Sequence, residues 1–274
     1  MLSPRVVIFT PANLIGSPNR AAYPASEALS EIDKRNIPLI LVTRGTRAQL
    51  EPLRRRIGNG HPFITEGGGG LFIPDGYFAI RFEGASRVGR YFCVPFGRSW
   101  QEAGTAVVDI AREAGAEVVR YGEMSAREIA RNTGMNEREA AGSREREFSE
   151  RFFFAGNAAA GAPSFERIAG ERNWKIRGSE PFRELYSGND EGKALRYLTR
   201  LYREALRSRI RSVGIGTSFE DLALLSASDQ AFVVPVGSDR YDDRLLSKLQ
   251  NAGKIDIPGT LGWNQAVLIA LSRI

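Results

Sequence analysis

A run of β-branched and aromatic residues, Val6-Val7-Ile8-Phe9, leads straight into Thr10-Pro11, and no other stretch constrains the fold as much. Consecutive apolar side chains leave no polar face, so a strand built from them must be covered on both sides. Pro11 lacks a backbone N–H and closes the run. In α/β proteins the site lies where the carboxyl ends of such strands open into loops. That singles out Pro11-Ala12-Asn13-Leu14-Ile15, which holds no acid, base or nucleophile of obvious strength.

The following stretches keep an α/β rhythm. Tyr23 to Asn36 predicts a helix with Ala28, Leu29 and Ile32 on its apolar stripe, and Ile37 to Val42 a second buried strand. After Thr43-Arg44-Gly45-Thr46-Arg47, a helix is expected from Ala48 to Ile57, kinked or shortened by Pro52. Phe63-Ile64-Thr65 reads as a third strand. The run Glu66 to Gly70 lacks the Lys-Ser/Thr of a phosphate-binding P-loop and reads as a tight hairpin into Leu71 to Pro74.

From about Gly84 the texture changes to strands and capped helices. Ser125-Ala126-Arg127-Glu128 and Asn136-Glu137-Arg138-Glu139 carry helix-start signals, and Gly156 to Pro163 reads as a small-residue loop. The α/β rhythm returns at Gly188, with an amphipathic helix from Glu191 to Leu206 and a strand from Val213 to Gly216. The expectation is a doubly wound, Rossmann-like α/β core of residues 1–82 and 188–274, with an α+β cap inserted over 83–187.

One cysteine, Cys93, and one histidine, His61, exclude an intramolecular disulfide, a thiolate metal cluster and a His-rich metal site among the 274 residues. The net charge of +6 suits an anionic ligand. The clusters Arg54-Arg55-Arg56 and Arg207-Ser208-Arg209 fit helix C-termini, where cations complement the dipole. Without aromatic–basic interleaving or zinc-finger spacing, no nucleic acid is expected. No apolar run is long enough for a bilayer and no signal-peptide pattern opens the chain, so no membrane and a cytoplasmic setting are expected.

The order of these pieces resembles the haloacid dehalogenase (HAD) superfamily of phosphatases, and within it the mannosyl-3-phosphoglycerate phosphatase family. The resemblance rests on Val6 to Thr10, Thr43 with Thr46-Arg47, Pro62 to Gly68, Arg146-Glu147-Phe148-Ser149-Glu150, Gly192-Lys193-Ala194, Gly214-Ile215-Gly216 through Asp221-Leu222, Pro258-Gly259 and Gly262-Trp263-Asn264. It implies an aspartate nucleophile and an aspartate acid/base two residues apart after the first strand, a lysine that steadies the phosphate, and aspartates that hold magnesium. Here the corresponding positions are Pro11, Asn13, Glu191 and Thr217, and of the magnesium acids only Asp221 stands. Proline cannot attack phosphorus, asparagine cannot shuttle a proton near neutral pH, and Glu191 reverses the lysine's charge.

A non-catalytic binding or regulatory protein is therefore expected, without a catalytic residue or a metal cofactor. Its cleft would bind an anionic sugar or glycerate through Thr43, Arg44, Arg47, Arg144, Arg146, Glu147 and Ser149, or the protein would act through a protein partner. Two alternatives stay open. One is changed chemistry at Glu191, Glu220 and Asp221, which the resemblance brings near one another. The other is a residual sugar-phosphate phosphatase.

Overall fold

The computed structural model describes residues 5–16, 23–156, 158–178, 182–235, 237 and 240–273. The chain opens with β1 (Val6–Pro11), a 3-10 turn over Ala12–Ile15, α1 (Ser26–Lys34), β2 (Leu39–Val42) and α2 (Arg47–Arg56). Next come the hairpin β3 (Phe63–Thr65) and β4 (Gly70–Pro74), with Phe63 opposite Phe72, and a second hairpin, β5 (Ser86–Val88) and β6 (Tyr91–Pro95). The middle of the chain supplies α3 (Trp100–Ala114), β7 (Val118–Arg120), α4 (Ala126–Thr133), α5 (Glu137–Arg144), β8 (Glu150–Phe154), α6 (Ala158–Glu171), β9 (Lys175–Arg177) and β10 (Arg183–Tyr186). The last part is α7 (Glu191–Leu206), β11 (Arg211–Gly216), α8 (Leu222–Ser226), β12 (Gln230–Val233), α9 (Asp243–Lys248), β13 (Gly253–Lys254) and α10 (Gly259–Ser272).

Among the described residues the large sheet has nine strands in the order β13-β12-β11-β1-β2-β3-β4-β6-β5. It is parallel from β13 to β3 and antiparallel beyond. Side chains alternate across each strand. Ile8, Leu39 and Leu41 pack with Ala28, Ile32, Trp263 and Ala266 on one face, and Val7, Phe9 and Ile40 with Leu195, Leu198, Tyr202 and Leu224 on the other. Helices thus cover both faces, as a uniformly apolar β1 requires. Each such side chain contributes about 1.5–3 kcal/mol by leaving water.

A second, antiparallel sheet runs β7-β8-β10-β9. Phe152 and Leu185 on one face meet Val107, Ile110 and Phe165 of α3 and α6. Phe153 joins Tyr121, Ile129 and Ala140 near α4 and α5.

Three expectations need correction. The boundary placed after residue 82 falls inside the large sheet, because β6 pairs with β4, Cys93 opposite Phe72, and carries β5 with it. The loop expected over Gly156 to Pro163 is mostly the start of α6, which runs on through Pro163; residue 157 lies outside the described residues. Pro52 neither ends nor shortens α2, which continues to Arg56. Among the described residues, no helix is long and apolar enough to cross a membrane.

Candidate functional site

β1 lies between β11 and β2, so the chain leaves its carboxyl end where the strand order reverses, the point at which open α/β sheets bind ligands. Three loops and the start of α7 meet there. After β2, Thr43 Oγ1 accepts a hydrogen bond from Gly45 N (3.0 Å), and Thr46 caps α2 in a reciprocal pair with Gln49. After β11, the buried Asp221 folds its own loop: Oδ2 accepts from Thr217 N (2.8 Å), Ser218 N (3.1 Å) and Thr217 Oγ1 (3.3 Å).

The Arg44 guanidinium sits among the acids. Nη1 donates to Glu220 Oε2 (2.6 Å), and Nη2 donates to the Glu220 carbonyl oxygen (2.6 Å). Nη2 also lies 3.7 Å from Asp221 Oδ1 and 3.9 Å from Glu191 Oε1. Burial pushes the Glu191 carboxyl up to about 7; Asp221 and Glu220 add to the rise, while Arg44 and Arg177 oppose it.

Above this cluster runs a seam between the β3–β4 turn and the smaller sheet. Glu66, at φ 51°, accepts from Glu147 N (2.7 Å), Phe148 N (3.1 Å) and the Ser149 hydroxyl. A left-handed backbone costs a non-glycine residue about 1–2 kcal/mol, so the surrounding bonds must hold it. Gly68, at φ 88°, lets the turn lie against the Asp190–Glu191 peptide, where a side chain would collide. Arg146 is buried, with Nε donating to Ser149 Oγ (2.8 Å) and Nη2 to Glu184 Oε1 (2.7 Å) and to the Arg44 carbonyl oxygen (3.3 Å). Arg177 also pairs with Glu184. Burial opposes ionisation of Glu184, but Arg146, Arg177 and Arg151 outweigh it and hold the carboxyl at about 2. Arg47 Nη2 reaches Glu147 Oε1 at 3.4 Å.

The structure therefore brings Glu191, Glu220 and Asp221 together around Arg44, beside the loop of Pro11 and Asn13. Arg146, Glu147 and Ser149 lie in the seam with Arg47. Arg144 lies apart, donating to the Gly122 carbonyl oxygen at 3.1 Å. Sequence reasoning did not single out Glu66, Arg177 or Glu184 as site residues. Glu66 stands within the stretch Pro62 to Gly68 that carried the resemblance, whereas nothing local marks Arg177 or Glu184. His61 hydrogen-bonds Tyr77 (2.7 Å), and burial, helped by Arg54, lowers its ring to about 4. Burial pushes the Cys93 thiol up to about 12, which leaves it inert near neutral pH.

A doubly wound sheet with an antiparallel layer inserted after the β3–β4 hairpin region, and a site at the β1 switch point, is the HAD architecture. Among solved structures, a haloacid dehalogenase-like hydrolase from Bacteroides thetaiotaomicron superposes with a TM-score of 0.64 at 15% identity, covering 98% of this chain and 99% of its own. A sugar phosphatase of HAD subclass IIB superposes at 0.60 with 13% identity, covering 98% of each chain. No family model matches the chain. Within the superfamily, the chain belongs to the mannosyl-3-phosphoglycerate phosphatase family. The glucosyl-3-phosphoglycerate/mannosyl-3-phosphoglycerate phosphatase of Methanococcoides burtonii is 33% identical over 262 residues, covering 92% of this chain and 90% of the relative. The mannosyl-3-phosphoglycerate phosphatase of Pyrococcus horikoshii is 28% identical, covering 85% and 88%.

Proposed function

We propose that this chain is a non-catalytic member of its phosphatase family, a cytoplasmic binding or regulatory protein whose cleft takes a phosphorylated sugar or glycerate without hydrolysing it. The observation that carries the reading is Arg44, whose guanidinium stands among Glu191, Glu220 and Asp221. The magnesium ion that the resemblance implies would need several hard oxygen donors in an octahedron. The residues present do not fit it. Pro11 and Thr217 bring no carboxylate, one Asp221 oxygen is taken by its own loop, and the other faces Arg44. An attacking group is also missing from Pro11, and Cys93 and His61 lie elsewhere in states that do not replace it.

In this reading residues 96–187 act as a cap over a core of 1–95 and 188–274. Arg44, Arg47 and the seam then supply charge-assisted contacts to a ligand phosphate or carboxylate. Several buried seam atoms have no protein partner, Arg47 Nε, Arg146 Nη1, Glu147 Oε2 and Arg177 Nε among them. Buried polar atoms are normally satisfied, so this is where a polar ligand would be held.

The test incubates the purified protein with mannosyl- and glucosyl-3-phosphoglycerate, with and without magnesium, and reads phosphate release beside thermal stability. Stabilisation without metal and without phosphate release is expected; a ligand at a hundred times its Kd adds about 2.7 kcal/mol. Phosphate release at an enzymatic rate would overturn the reading in favour of a residual phosphatase.

One observation favours a second reading, changed chemistry at the acids: the Glu191 carboxyl, at about 7, is poised for proton transfer near neutral pH. Turnover of a related substrate that is abolished in Glu191→Gln would select it.

A further inference from the structure

We propose that the cap loop Arg146–Ser149 is a carboxylate-binding site, that Glu66 of the core is its resident occupant, and that a carboxylate-bearing ligand enters the loop only by displacing Glu66. The inference goes beyond the non-catalytic reading, since it holds whether or not the chain releases phosphate.

The donors around Glu66 form a receptor rather than a single ion pair. Two consecutive backbone amides, Glu147 N (2.7 Å) and Phe148 N (3.1 Å), and the Ser149 hydroxyl all donate to its carboxylate, and Arg146 Nε stands 3.5 Å away. Successive N–H groups aimed at one point make an anion-binding concavity. All of these donors come from one four-residue stretch of the inserted region. The backbone of Glu66, by contrast, is anchored to the core. Its N–H donates to the Gly45 carbonyl oxygen (3.1 Å), its carbonyl oxygen accepts from Asn189 Nδ2 (2.8 Å), and Gly67 N donates to the Thr43 carbonyl oxygen (3.0 Å).

The left-handed backbone at Glu66 turns the side chain out of the hairpin towards the loop. The buried Arg146 Nη1, on the far side of the guanidinium from Nε, makes no hydrogen bond. Docking of the cap loop on the core and capture of an external carboxylate are therefore competing occupations of one site.

The first test is chemical rescue. Glu66→Ala vacates the loop, so its thermal midpoint should fall below that of the native protein. Sodium formate and sodium acetate should restore part of the loss, while sodium chloride at matched ionic strength does not. Neither carboxylate should raise the native protein beyond the chloride control. Equal responses of variant and native protein to all three salts would overturn the proposal. Should Glu66→Ala fail to fold, Glu66→Gln decides. Its amide turns a donor towards donors, so exchange of the Glu147 and Phe148 amide hydrogens should quicken about tenfold or more while the β8–β10 ladder stays unchanged. Unchanged protection at those two amides would sink the proposal. Both readouts are independent of phosphate release, so a failure here and a failure of the non-catalytic reading are told apart.

Discussion

Arg44 and Arg146 each stand among carboxylates, the Arg44 cluster and the seam meet at the Arg44 carbonyl oxygen, and yet the two arginines do different work. The Arg146 side chain is 0% exposed and faces Glu66 and Glu184, which are 0% and 5% exposed. The Arg44 side chain is 32% exposed, and its tightest partner, Glu220, is 70% exposed. Burial decides the difference. A dry guanidinium cannot be removed without stranding its carboxylates, whereas a wet one can exchange its partners for solvent or an anionic ligand. The seam is thus closed to anything that does not replace one of its own carboxylates, whereas the cluster at the end of β1 is open to exchange with solvent.

The largest effect should come from breaking the seam. Arg146→Met leaves Glu66 and Glu184 without their shared cation and should cost roughly 3–5 kcal/mol in urea unfolding. Adding Glu184→Gln should not recover the loss, because Arg177 and Arg151 still pair with Glu184 and would lose their partner. A loss under about 1 kcal/mol for the single variant would dissolve the contrast between the two arginines.

The next effect is a pH dependence with one source on each side. Glu191 in the core and Glu150 in the inserted region are both pushed up to about 7 by burial. Each binds a proton in the folded protein that it has lost when unfolded, so its contribution falls as pH rises from its ordinary value through about 7. Stability should therefore decline between about pH 5 and pH 8, and Glu191→Gln and Glu150→Gln should each flatten the slope by roughly 1–3 kcal/mol. Glu184 has the opposite sign. Held at about 2, it adds stability above its ordinary range that is lost only as the pH falls towards 2. Denaturation midpoints across pH for the two variants test this, and parallel native and variant curves would remove burial as the cause.

The parts of this molecule legible in the sequence are those set by local pattern. Val7, Ile8 and Phe9 had to be buried on both faces. The glycine run had to turn, and Ser125 and Asn136 had to cap helices, because each signal lies within a few residues. Gathering Glu191, Glu220 and Asp221 needed the resemblance as well, since Glu191 opens α7 while Glu220 and Asp221 follow β11. The seam was hidden for a further reason: Glu66 meets a loop more than eighty residues away, and Arg146 and Glu184 pair across thirty-eight. By sequence, Arg146 and Ser149 belong to a ligand-binding cleft, and only folding shows both to be buried against Glu66. The place of the β5–β6 hairpin in the large sheet was missed because its pairing partner, β4, rather than its own composition, assigns it there.

A smaller effect belongs to Arg44. As a partly exposed cation it should contribute about 1 kcal/mol or less, so Arg44→Ala should barely move the urea midpoint. What should change is the pH dependence. Arg44 opposes the rise of the Glu191 carboxyl, so in Arg44→Ala the fall of stability with rising pH should move to higher pH, read from urea midpoints across pH. An unmoved profile would mean that Arg44 does not act on Glu191.

The smallest effect expected is none at all, and it is the sharpest check on the functional reading. Pro11→Asp restores a carboxylate at the position that the resemblance gives to the nucleophile. Aspartyl transfer also needs an acid to protonate the leaving oxygen, and that position would still hold Asn13, which the 3-10 turn leaves exposed beside the strand end. It needs a cation to neutralise the phosphate, yet Glu191 would still put a negative charge where the resemblance puts a lysine, and Thr217 would still lack a carboxylate. The single variant should therefore release no more phosphate from mannosyl-3-phosphoglycerate than the native protein does, with or without magnesium. Robust magnesium-dependent turnover in Pro11→Asp would show that the other positions never mattered, and that one residue separates this chain from an active enzyme.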